Sequence, residues 1–334
     1  MSSVLNLGLI GAGRIGRVHA QNLQRRISGA RVLLVADPVE EAARRAADDF
    51  GIKFAVADYQ TVLQSPAVDA VVICSATHTH ATITMQAATA GKHIFCEKPL
   101  DFNLGVIDQV LAAVQQAGVK LQMGFNRRFD PNFARVRQAV ASGEIGTPHL
   151  MHIISRDPGP PPHAYIRSSG GMFLDMTVHD FDMARFLFGQ EVVEVYAAAG
   201  VLVDPAIGQL GDIDSALVTL KFAGGALAVI DNSRRAVYGY DQRVEILGSA
   251  GSVSTGNIYP NAATISTATA IRRDLPLNFF MERYTESYVV EMQAFVDAVR
   301  GDTPVPATGE DARAATALAL AAMQSYADNR PVRL

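Results

Sequence analysis

The chain has 334 residues, of which 49% are hydrophobic and 19% are charged. This composition excludes a disordered or low-complexity protein, and the length predicts about two domains. The formal net charge is −4, so the chain lacks the basic field that attracts nucleic acid or anionic lipid, and neither partner is expected.

Cysteine usage and the apolar runs bear on where the protein works. Cys74 and Cys96 both lie inside apolar segments, and two cysteines are too few for a disulfide framework. Free thiols in a reducing compartment are therefore expected. The apolar runs are much shorter than the ~20 residues of a membrane-spanning helix, and no positive segment precedes the first of them, as a secretory signal requires. We predict a cytoplasmic protein.

In the first part of the chain, short apolar runs alternate with helix-like stretches. Strands are predicted at 4–10, 32–36, 70–74, 93–96 and 119–123, and helices at 14–27, 39–50, 79–90 and 103–117. The strands are rich in Val, Ile and Leu without polar alternation, which is typical of a parallel sheet covered on both faces. This rhythm predicts an α/β Rossmann dinucleotide-binding domain, assigned to residues 1–123.

A glycine pattern opens the first predicted helix directly after the first predicted strand. Its residues are Gly11, Gly13, Arg14, Ile15 and Gly16. Such a loop presents helix N–H groups to the phosphates of a dinucleotide.

An acidic residue ends the second predicted strand. Asp37 follows Gly16 by 21 residues, where a carboxylate accepts hydrogen bonds from the adenosine ribose. The alternative is a surface turn in which Asp37 caps a helix. Because no arginine lies beside Asp37 to accept a 2′-phosphate, we predict NAD rather than NADP as cofactor.

The next polar segments lie at the carboxyl ends of two further predicted strands, the edge where open α/β folds bind ligands. After the strand at 70–74 come Ser75, Ala76, Thr77 and His80, which we expect to contact the nucleotide. Histidines here also suggest metal ligands, but no cysteine or carboxylate is spaced to complete a site, and no metal is predicted.

Glu97, Lys98 and Pro99 follow the strand at 93–96. Glu97 and Lys98 are expected to face the cofactor, and Lys98 could donate to a substrate hydroxyl. The alternative is a solvated turn.

After residue 125 the pattern changes. Helices are predicted at 131–141 and 172–188, a strand at 149–155 and a proline-rich loop at 157–163. Strands follow at 192–199, 215–222, 227–233, 243–247 and 252–255, and helices near 282–300 and 310–328 close the chain. Grouped strands and separate helices predict an α+β domain with a large, mostly antiparallel open sheet. We assign it to residues 124–334, with final helices that could pack back on the first domain.

A carboxylate and a histidine stand four residues apart in the long predicted helix. Asp175 and His179 therefore share a face. A carboxylate near an imidazole orients it and raises its basicity, as a general base needs near neutral pH. The spacing alone equally fits a helix-stabilising contact. A nicotinamide-binding domain, however, needs a proton acceptor from its partner domain, and this pair is the best candidate.

Other polar residues are candidates for a substrate cleft. Asn126 and Arg127 follow the last predicted strand of the first domain, and Asp157 precedes the proline-rich loop. Each of them fits a structural role, such as an ion pair between domains, equally well. Tyr238 is a further candidate, although most tyrosines cover the edge of a core.

These segments resemble the glucose-fructose oxidoreductase/inositol dehydrogenase (Gfo/Idh/MocA) family, and the resemblance covers essentially the whole chain. Its family-wide marks are Gly11–Gly16, Glu97–Pro99 and the segment from Gly170 to His179. Longer segments at 124–130, 155–162, 168–185 and 279–288 are similar to the bacterial inositol dehydrogenases of that family.

The resemblance implies NAD-dependent oxidation of myo-inositol at C2 to 2-keto-myo-inositol (scyllo-inosose). It gives Lys98, Asp175 and His179 the catalytic roles, with His179 as base. It also implies a polyol pocket lined by Asn126, Arg127, Asp157, Met176 or Thr177, and a homotetramer joined through the open sheet. The alternatives are a dehydrogenase for scyllo- or chiro-inositol or an aldose, and a non-catalytic NAD-sensing regulatory protein.

Overall fold

The computed structural model describes residues 4–334, which form two compact units. The first contains the residues up to Phe129 together with Glu286–Thr316, and the second contains Asp130–Thr285 and Ala317–Leu334. A C-terminal segment therefore completes the first unit.

The first unit is built on a six-stranded sheet. Its strands are β1 (Leu5–Ile10), β2 (Ala30–Ala36), β3 (Phe54–Val56), β4 (Ala70–Ile73), β5 (His93–Glu97) and β6 (Leu121–Gly124). They lie in the order β3-β2-β1-β4-β5-β6, and every neighbouring pair is parallel. This topology confirms the predicted Rossmann sheet, whose strand order reverses between β1 and β4.

Helices flank this sheet. They are α1 (Arg14–Arg25), α2 (Glu40–Phe50), α3 (Tyr59–Gln64), α4 (Thr77–Thr89) and α5 (Leu104–Ala117). A 3₁₀ turn, Asn126–Phe129, follows β6. From the C-terminal segment, Met292, Phe295 and Val296 enter the core beside Leu7 and Phe95, and all five side chains are fully buried. The later helix thus buries its apolar stripe against the parallel sheet.

The second unit contains a seven-stranded sheet. Its strands are β7 (Pro148–Arg156), β8 (Val192–Gly200), β9 (Ser215–Phe222), β10 (Leu227–Ser233), β11 (Asp241–Gly248), β12 (Gly251–Thr255) and β15 (Val332–Arg333). Their order is β12-β11-β7-β10-β9-β8-β15. The β7–β10 pair is parallel and the other pairs are antiparallel. The predicted mostly antiparallel sheet is therefore confirmed. A small hairpin, β13 (Thr264–Ser266) and β14 (Ile271–Arg273), stands apart from this sheet.

The helices of the second unit are α6 (Pro131–Ala141), α7 (His163–Ile166), α8 (Val178–Phe188), α9 (Pro205–Gln209) and α10 (Phe280–Arg283). Two long helices, α11 (Thr285–Gly301) and α12 (Gly309–Asp328), carry residues of both units.

One face of the seven-stranded sheet carries accessible leucines, and we call it the open face. Along β7, Met151 and Ile153 are buried, whereas Leu150 is 43% exposed. The exposed leucines of this face are Leu150, Leu217, Leu227 and Leu247. Leu150 pairs in register with Leu227 on one side and Leu247 on the other, so three of these leucines are adjacent.

The helix predicted at 172–188 is divided in the structure. Phe173–Thr177 form a π turn, and α8 begins at Val178. The Thr177 side-chain oxygen lies 3.4 Å from the carbonyl oxygen of Met172, five residues earlier, within this widened turn. π turns within α-helices are frequent at functional sites. Within residues 4–334, no helix combines the length and apolar character needed to span a membrane.

Candidate active site

The glycine loop between β1 and α1 is shaped for a close approach of phosphate. Gly11 has φ +100°, and a Cβ there would lie 2.5 Å from the carbonyl oxygen of Cys74. A Cβ on Gly16 would overlap the carbonyl oxygen of Gly11. By contrast, a Cβ on Gly13 would meet nothing within 4 Å. Gly11 and Gly16 therefore keep the turn compact, while Gly13 leaves open space where a pyrophosphate fits.

The N-terminus of α1 is free to bind an anion. Its N-cap is Gly13, and no side chain of the described residues caps it. The first turn begins with Arg14, which is exposed, and Ile15, which is half-buried, and it contains no acidic residue. Unused N–H groups and the helix dipole together favour a phosphate here.

Asp37 lies beside this loop at the end of β2. Its Oδ2 accepts a hydrogen bond from the Ala12 N–H at 2.8 Å, and its Oδ1 accepts one from the Val39 N–H at 2.9 Å. These bonds fix the carboxylate next to the phosphate loop, with lone pairs left for ribose hydroxyls. The arrangement fits the dinucleotide expected from the sequence.

The segment after β4 is held by a buried histidine. His80 places Nδ1 2.8 Å from the carbonyl oxygen of Pro99 and Nε2 3.0 Å from that of Ser75. Burial lowers the pKa of His80, so the ring is neutral at pH 7 and donates to one of these carbonyls. His80 thus ties the turn after β4 to the turn after β5. Ala76 and Thr77 lie at the start of α4, where Ala76 is the N-cap.

At the end of β5, the carboxylate of Glu97 contacts a histidine of α1. Its Oε1 lies 2.9 Å from Nε2 of His19 on α1. A Cβ on Gly124 would lie 2.8 Å from the other oxygen of Glu97, so a side chain there would displace this carboxylate. Lys98, which follows, is half-buried at the carboxyl edge of the sheet.

The turn after β6 carries two further candidates. Asn126 and Arg127 are 4% and 5% exposed. The amide nitrogen of Asn126 is buried without a hydrogen-bond partner among residues 4–334. A buried donor of this kind is satisfied by a ligand hydroxyl or a water molecule.

A second carboxyl group lies close to that of Glu97. Glu291 on α11 is fully buried, and neither of its carboxyl oxygens has a hydrogen-bond partner in the described part of the chain. Burial, and then the charge of Glu97, raise the pKa of Glu291 well above its ordinary value. Glu291 is therefore a neutral acid in the folded protein.

This buried acid predicts a pH-dependent loss of stability. The folded state keeps the proton of Glu291 after the unfolded chain has lost it near pH 4, so stability falls as pH rises between the two pKa values. Glutamine mimics the neutral acid without this penalty. We expect Glu291→Gln to unfold at least about 2–4 °C above the wild type at pH 8, because a tenfold proton-affinity difference corresponds to about 1.4 kcal/mol.

Thermal unfolding at pH 5 and pH 8 tests this expectation, with Glu286→Gln as the control. Glu286 is on the same helix, but its side chain is 64% exposed, so its substitution should shift the unfolding temperature equally at both pH values. An unchanged difference between Glu291→Gln and wild type across this range would contradict a neutral Glu291.

In the second unit, Asp175 and His179 occupy one accessible face. From Met172 to Asp180, Asp175 and His179 are the residues that are not fully buried. Asp175 lies in the π turn and His179 in the first turn of α8. Asp175 and His179 are therefore the two partly exposed residues of a segment whose other residues are buried.

Two residues that the sequence did not indicate hold Asp175. The hydroxyl of Tyr165 on α7 donates to Asp175 Oδ1 at 2.8 Å. Arg234, which follows β10 and is 1% exposed, places Nη1 3.5 Å from Asp175 Oδ2. Arg234 stands next to Arg235 in a strand-terminal sequence with no recognisable motif, so local sequence gave no signal for it.

The remaining candidates of this unit have defined positions. Met176 is 6% exposed, and the Thr177 hydroxyl donates to Asn232 Oδ1 at 2.7 Å. Asp157 is half-buried and its backbone N–H donates to the carbonyl of Ser233 at 2.9 Å. Thr177 and Asp157 are therefore both hydrogen-bonded to the end of β10.

Tyr238 has polar partners of its own. Its hydroxyl donates to Asp241 at 2.6 Å and accepts from Arg156 at 3.1 Å. Arg156 lies in register with Asp241 on neighbouring strands. Its side chain points to the opposite face of β7 from the adjacent Ser155, which is fully buried. The Tyr238 hydroxyl therefore lies on the open face of the seven-stranded sheet, next to Arg156.

Residues 4–334 contain no group of three or more His, Cys, Asp or Glu side chains arranged to hold a metal ion.

Both units match known sequence families. Residues 5–125 match the oxidoreductase family with an NAD-binding Rossmann fold, and residues 133–254 match the GFO/IDH/MocA C-terminal domain. The chain is 46% identical to the myo-inositol 2-dehydrogenase of Thermotoga maritima, covering 99% of this chain and 98% of that one. It is also 46% identical to the inositol 2-dehydrogenase of Rhizobium meliloti, covering 99% of both.

More distant relatives include enzymes named for another inositol. The scyllo-inositol 2-dehydrogenase (NAD(+)) of Bacillus subtilis is 37% identical over 100% of this chain and 97% of that one. Among solved structures, a probable dehydrogenase from Thermotoga maritima has a TM-score of 0.97 at 46% identity over 98% of both chains. The scyllo-inositol dehydrogenase of Lactobacillus casei, solved with NAD(H) and scyllo-inositol, has a TM-score of 0.92 at 29% identity over 99% of both chains.

Proposed function

This chain belongs to the GFO/IDH/MocA family of NAD-dependent oxidoreductases, and on that premise we propose that it oxidises myo-inositol at C2 to 2-keto-myo-inositol (scyllo-inosose). Two relatives that align over nearly the whole chain are named inositol 2-dehydrogenases. The observation that supports the proposal most is that Asp175 and His179 are the partly exposed residues of an otherwise buried segment, because alcohol oxidation needs a base that the substrate can reach.

The residues of the first unit hold the cofactor. The open space at Gly13 and the free N-terminus of α1 accept the pyrophosphate, and Asp37 binds the adenosine ribose. When bound, NAD+ supplies the acceptor for the hydride that leaves the carbinol carbon.

The remaining steps belong to side chains of the protein. We propose that His179 removes the hydroxyl proton of the substrate, directly or through one water molecule. Asp175 orients the imidazole and stabilises the positive charge that it gains. Lys98 donates a hydrogen bond to the alcohol oxygen and stabilises the negative charge that develops there. Asn126, Arg127, Asp157 and Met176 are proposed to line the polyol pocket, in which Asn126 contributes its buried amide donor.

The preferred stereoisomer is the finer part of this proposal. An inositol carries no charge, so it is recognised by directed hydrogen bonds, and each unmatched hydroxyl leaves a buried group unpaired. Identity of 46% to the myo-inositol enzyme against 37% to the scyllo-inositol enzyme favours myo-inositol. Scyllo-inositol is the alternative, since both isomers give the same ketone when oxidised at this carbon.

The product formed in the reverse reaction decides between these isomers. The enzyme is incubated with scyllo-inosose and NADH, and the polyol is identified by NMR. We expect myo-inositol, together with a kcat/KM for myo-inositol at least about tenfold above that for scyllo-inositol. Scyllo-inositol as main product would favour the alternative. Rapid oxidation of an aldose instead would indicate a sugar dehydrogenase, and NAD binding without any turnover would indicate a regulatory protein.

The open face supports a proposed assembly. Four leucines that are 41–54% exposed lie on β7, β9, β10 and β11 of one sheet, and an apolar patch of this kind marks an interaction surface. We propose that it joins copies of the chain in a homotetramer, for which light scattering should give a mass of four chains. The free buried thiols of Cys74 and Cys96 support a reducing, cytoplasmic location.

A further inference from the structure

We propose that Arg234 is a positioning residue that holds Asp175 in place for the base His179, an inference that rests on the proposed function. The Arg234 guanidinium lies between two carboxylates. Its Nη1 is 3.5 Å from Asp175 Oδ2, and its Nη2 is 3.5 Å from Asp212 Oδ2. The side chain is 1% exposed, so these carboxylates form its ionic environment in place of water.

Arg234 itself is fixed by the sheet. Its backbone N–H donates to the carbonyl of Asp214 at 2.8 Å, directly after β10 ends. Its backbone is thus fixed by a hydrogen bond, whereas its guanidinium is positioned by burial and by ion pairs at 3.5 Å, with Nε and Nη2 making no hydrogen bond among the described residues. The end of β10 is therefore a rigid support for the π turn that carries Asp175.

Asp212 connects Arg234 to the start of the same turn. Its Oδ1 accepts a hydrogen bond from the Met172 N–H at 3.0 Å. A Cβ on Gly171 would lie 3.0 Å from that oxygen, and Gly171 has φ +85°. The glycine therefore lets the carboxylate approach the entrance of the helix. Arg234 and Asp212 together hold the residue before the π turn and the carboxylate within it.

The charges of this cluster suit a nearby base. The cluster holds one guanidinium and two carboxyl groups, so its acidic groups outnumber its basic one. A residual negative charge stabilises an imidazolium four residues along the helix, whereas a second uncompensated carboxylate would hold the proton too firmly for release. Arg234 thus sets both the position of Asp175 and the electrostatic field at His179.

The other charged and titratable groups around this cluster come from several elements. Tyr165 on α7 bonds Asp175 Oδ1. Asp180, next to His179, accepts from Asn232 Nδ2 at 2.9 Å on β10. Both oxygens of Asp175 therefore have partners from outside its own helix.

The test uses the full-length enzyme and the variant Arg234→Met. We expect kcat to fall about 10–10²-fold because Asp175 is displaced, while the Kd for NAD stays within twofold of wild type. Because the local charge becomes more negative, the acidic limb of the kcat/KM profile should move to higher pH by about one pH unit. An NMR titration of the ¹³C-labelled imidazole of His179, whose signal is assigned with the variant His179→Gln, gives a second measurement. Its midpoint should also move to higher pH.

Three further variants separate this role from simple support of the fold. Arg234→Lys keeps the charge and loses the planar fork, so its pH limb should stay near wild type with an intermediate kcat. In Arg234→Met/Asp212→Asn one cation and one anion are lost together, and the limb should return toward wild type. Arg283→Met breaks another buried pair of this unit, that of Arg283 with Asp130, and should lower the unfolding temperature without moving the limb.

An Arg234→Met enzyme with wild-type kcat, pH limb and His179 titration would overturn the inference, and so would an Arg283→Met variant that reproduces its pH shift. If Arg234→Met does not fold, Arg234→Lys and the double variant decide the question. Failure of the proposed function looks different: the wild type would oxidise no polyol, whereas the NMR titration of His179 would still report the effect of Arg234.

Discussion

We expect the His179→Ala variant to lose about 10²–10⁴-fold in kcat, the range that a positioned general base contributes. His179 is in the first turn of α8, and it is partly exposed, as is Asp175. Asp175 is held in turn by Tyr165 and Arg234. Loss of the imidazole would remove the proposed proton acceptor and leave the proposed cofactor-binding residues of the first unit intact. The Kd for NAD, measured by fluorescence titration, should therefore stay near the wild-type value.

Two controls identify the missing function as proton transfer. Added imidazole should restore part of the activity of His179→Ala, and the acidic limb of the kcat/KM profile should be absent without it. His149→Ala replaces an exposed histidine near the start of β7 and should leave kcat unchanged. Wild-type turnover in His179→Ala would remove this residue from the mechanism.

The parallel sheet was predictable because its strands are buried on both faces and read as continuous apolar runs. The predicted strand at 70–74 and the observed strand Ala70–Ile73 differ by one residue. By contrast, β3 is three residues long and partly exposed, so it carries no such run and was not predicted. The glycine loop was predictable because backbone sterics at Gly11 and Gly16 leave no alternative residue.

The second unit shows why part of the site was not predictable. Asp175 and His179 are four residues apart, so their shared face follows from helix geometry alone. Arg234 reaches Asp175, and Asp212 reaches Arg234, only through the tertiary fold, and no local pattern marks them. Tyr238 shows the effect of strand phase. Ser155 and Arg156 are consecutive on β7 and point to opposite faces, and the hydroxyl of Tyr238 bonds Arg156. A shift of one residue in the register of β7 would therefore move Arg156, and the Tyr238 hydroxyl with it, to the other face of the sheet.

Replacement of Lys98 by methionine should lower kcat by about 10²–10³-fold, because a charged donor to a developing oxyanion is worth about 2.7–4 kcal/mol. Methionine keeps most of the apolar stem, so the packing at the end of β5 should survive and the Kd for NAD should change less than about threefold. Lys120→Met is a matched control. Lys120 precedes β6 at the opposite edge of the same sheet and pairs with Asp302, so its loss should leave kcat unchanged. Wild-type kcat in Lys98→Met would exclude the role of Lys98.

The double variant Lys98→Met/His179→Ala tests whether the two residues act on one hydroxyl. Groups that act on the same proton in the same transition state give strongly non-additive losses, whereas independent groups give losses that multiply. We expect the double variant to be less than about tenfold slower than His179→Ala alone. Such coupling would mean that the lysine and the histidine act on one bound substrate in the same step. Multiplied losses would instead mean that the lysine and the histidine serve separate steps.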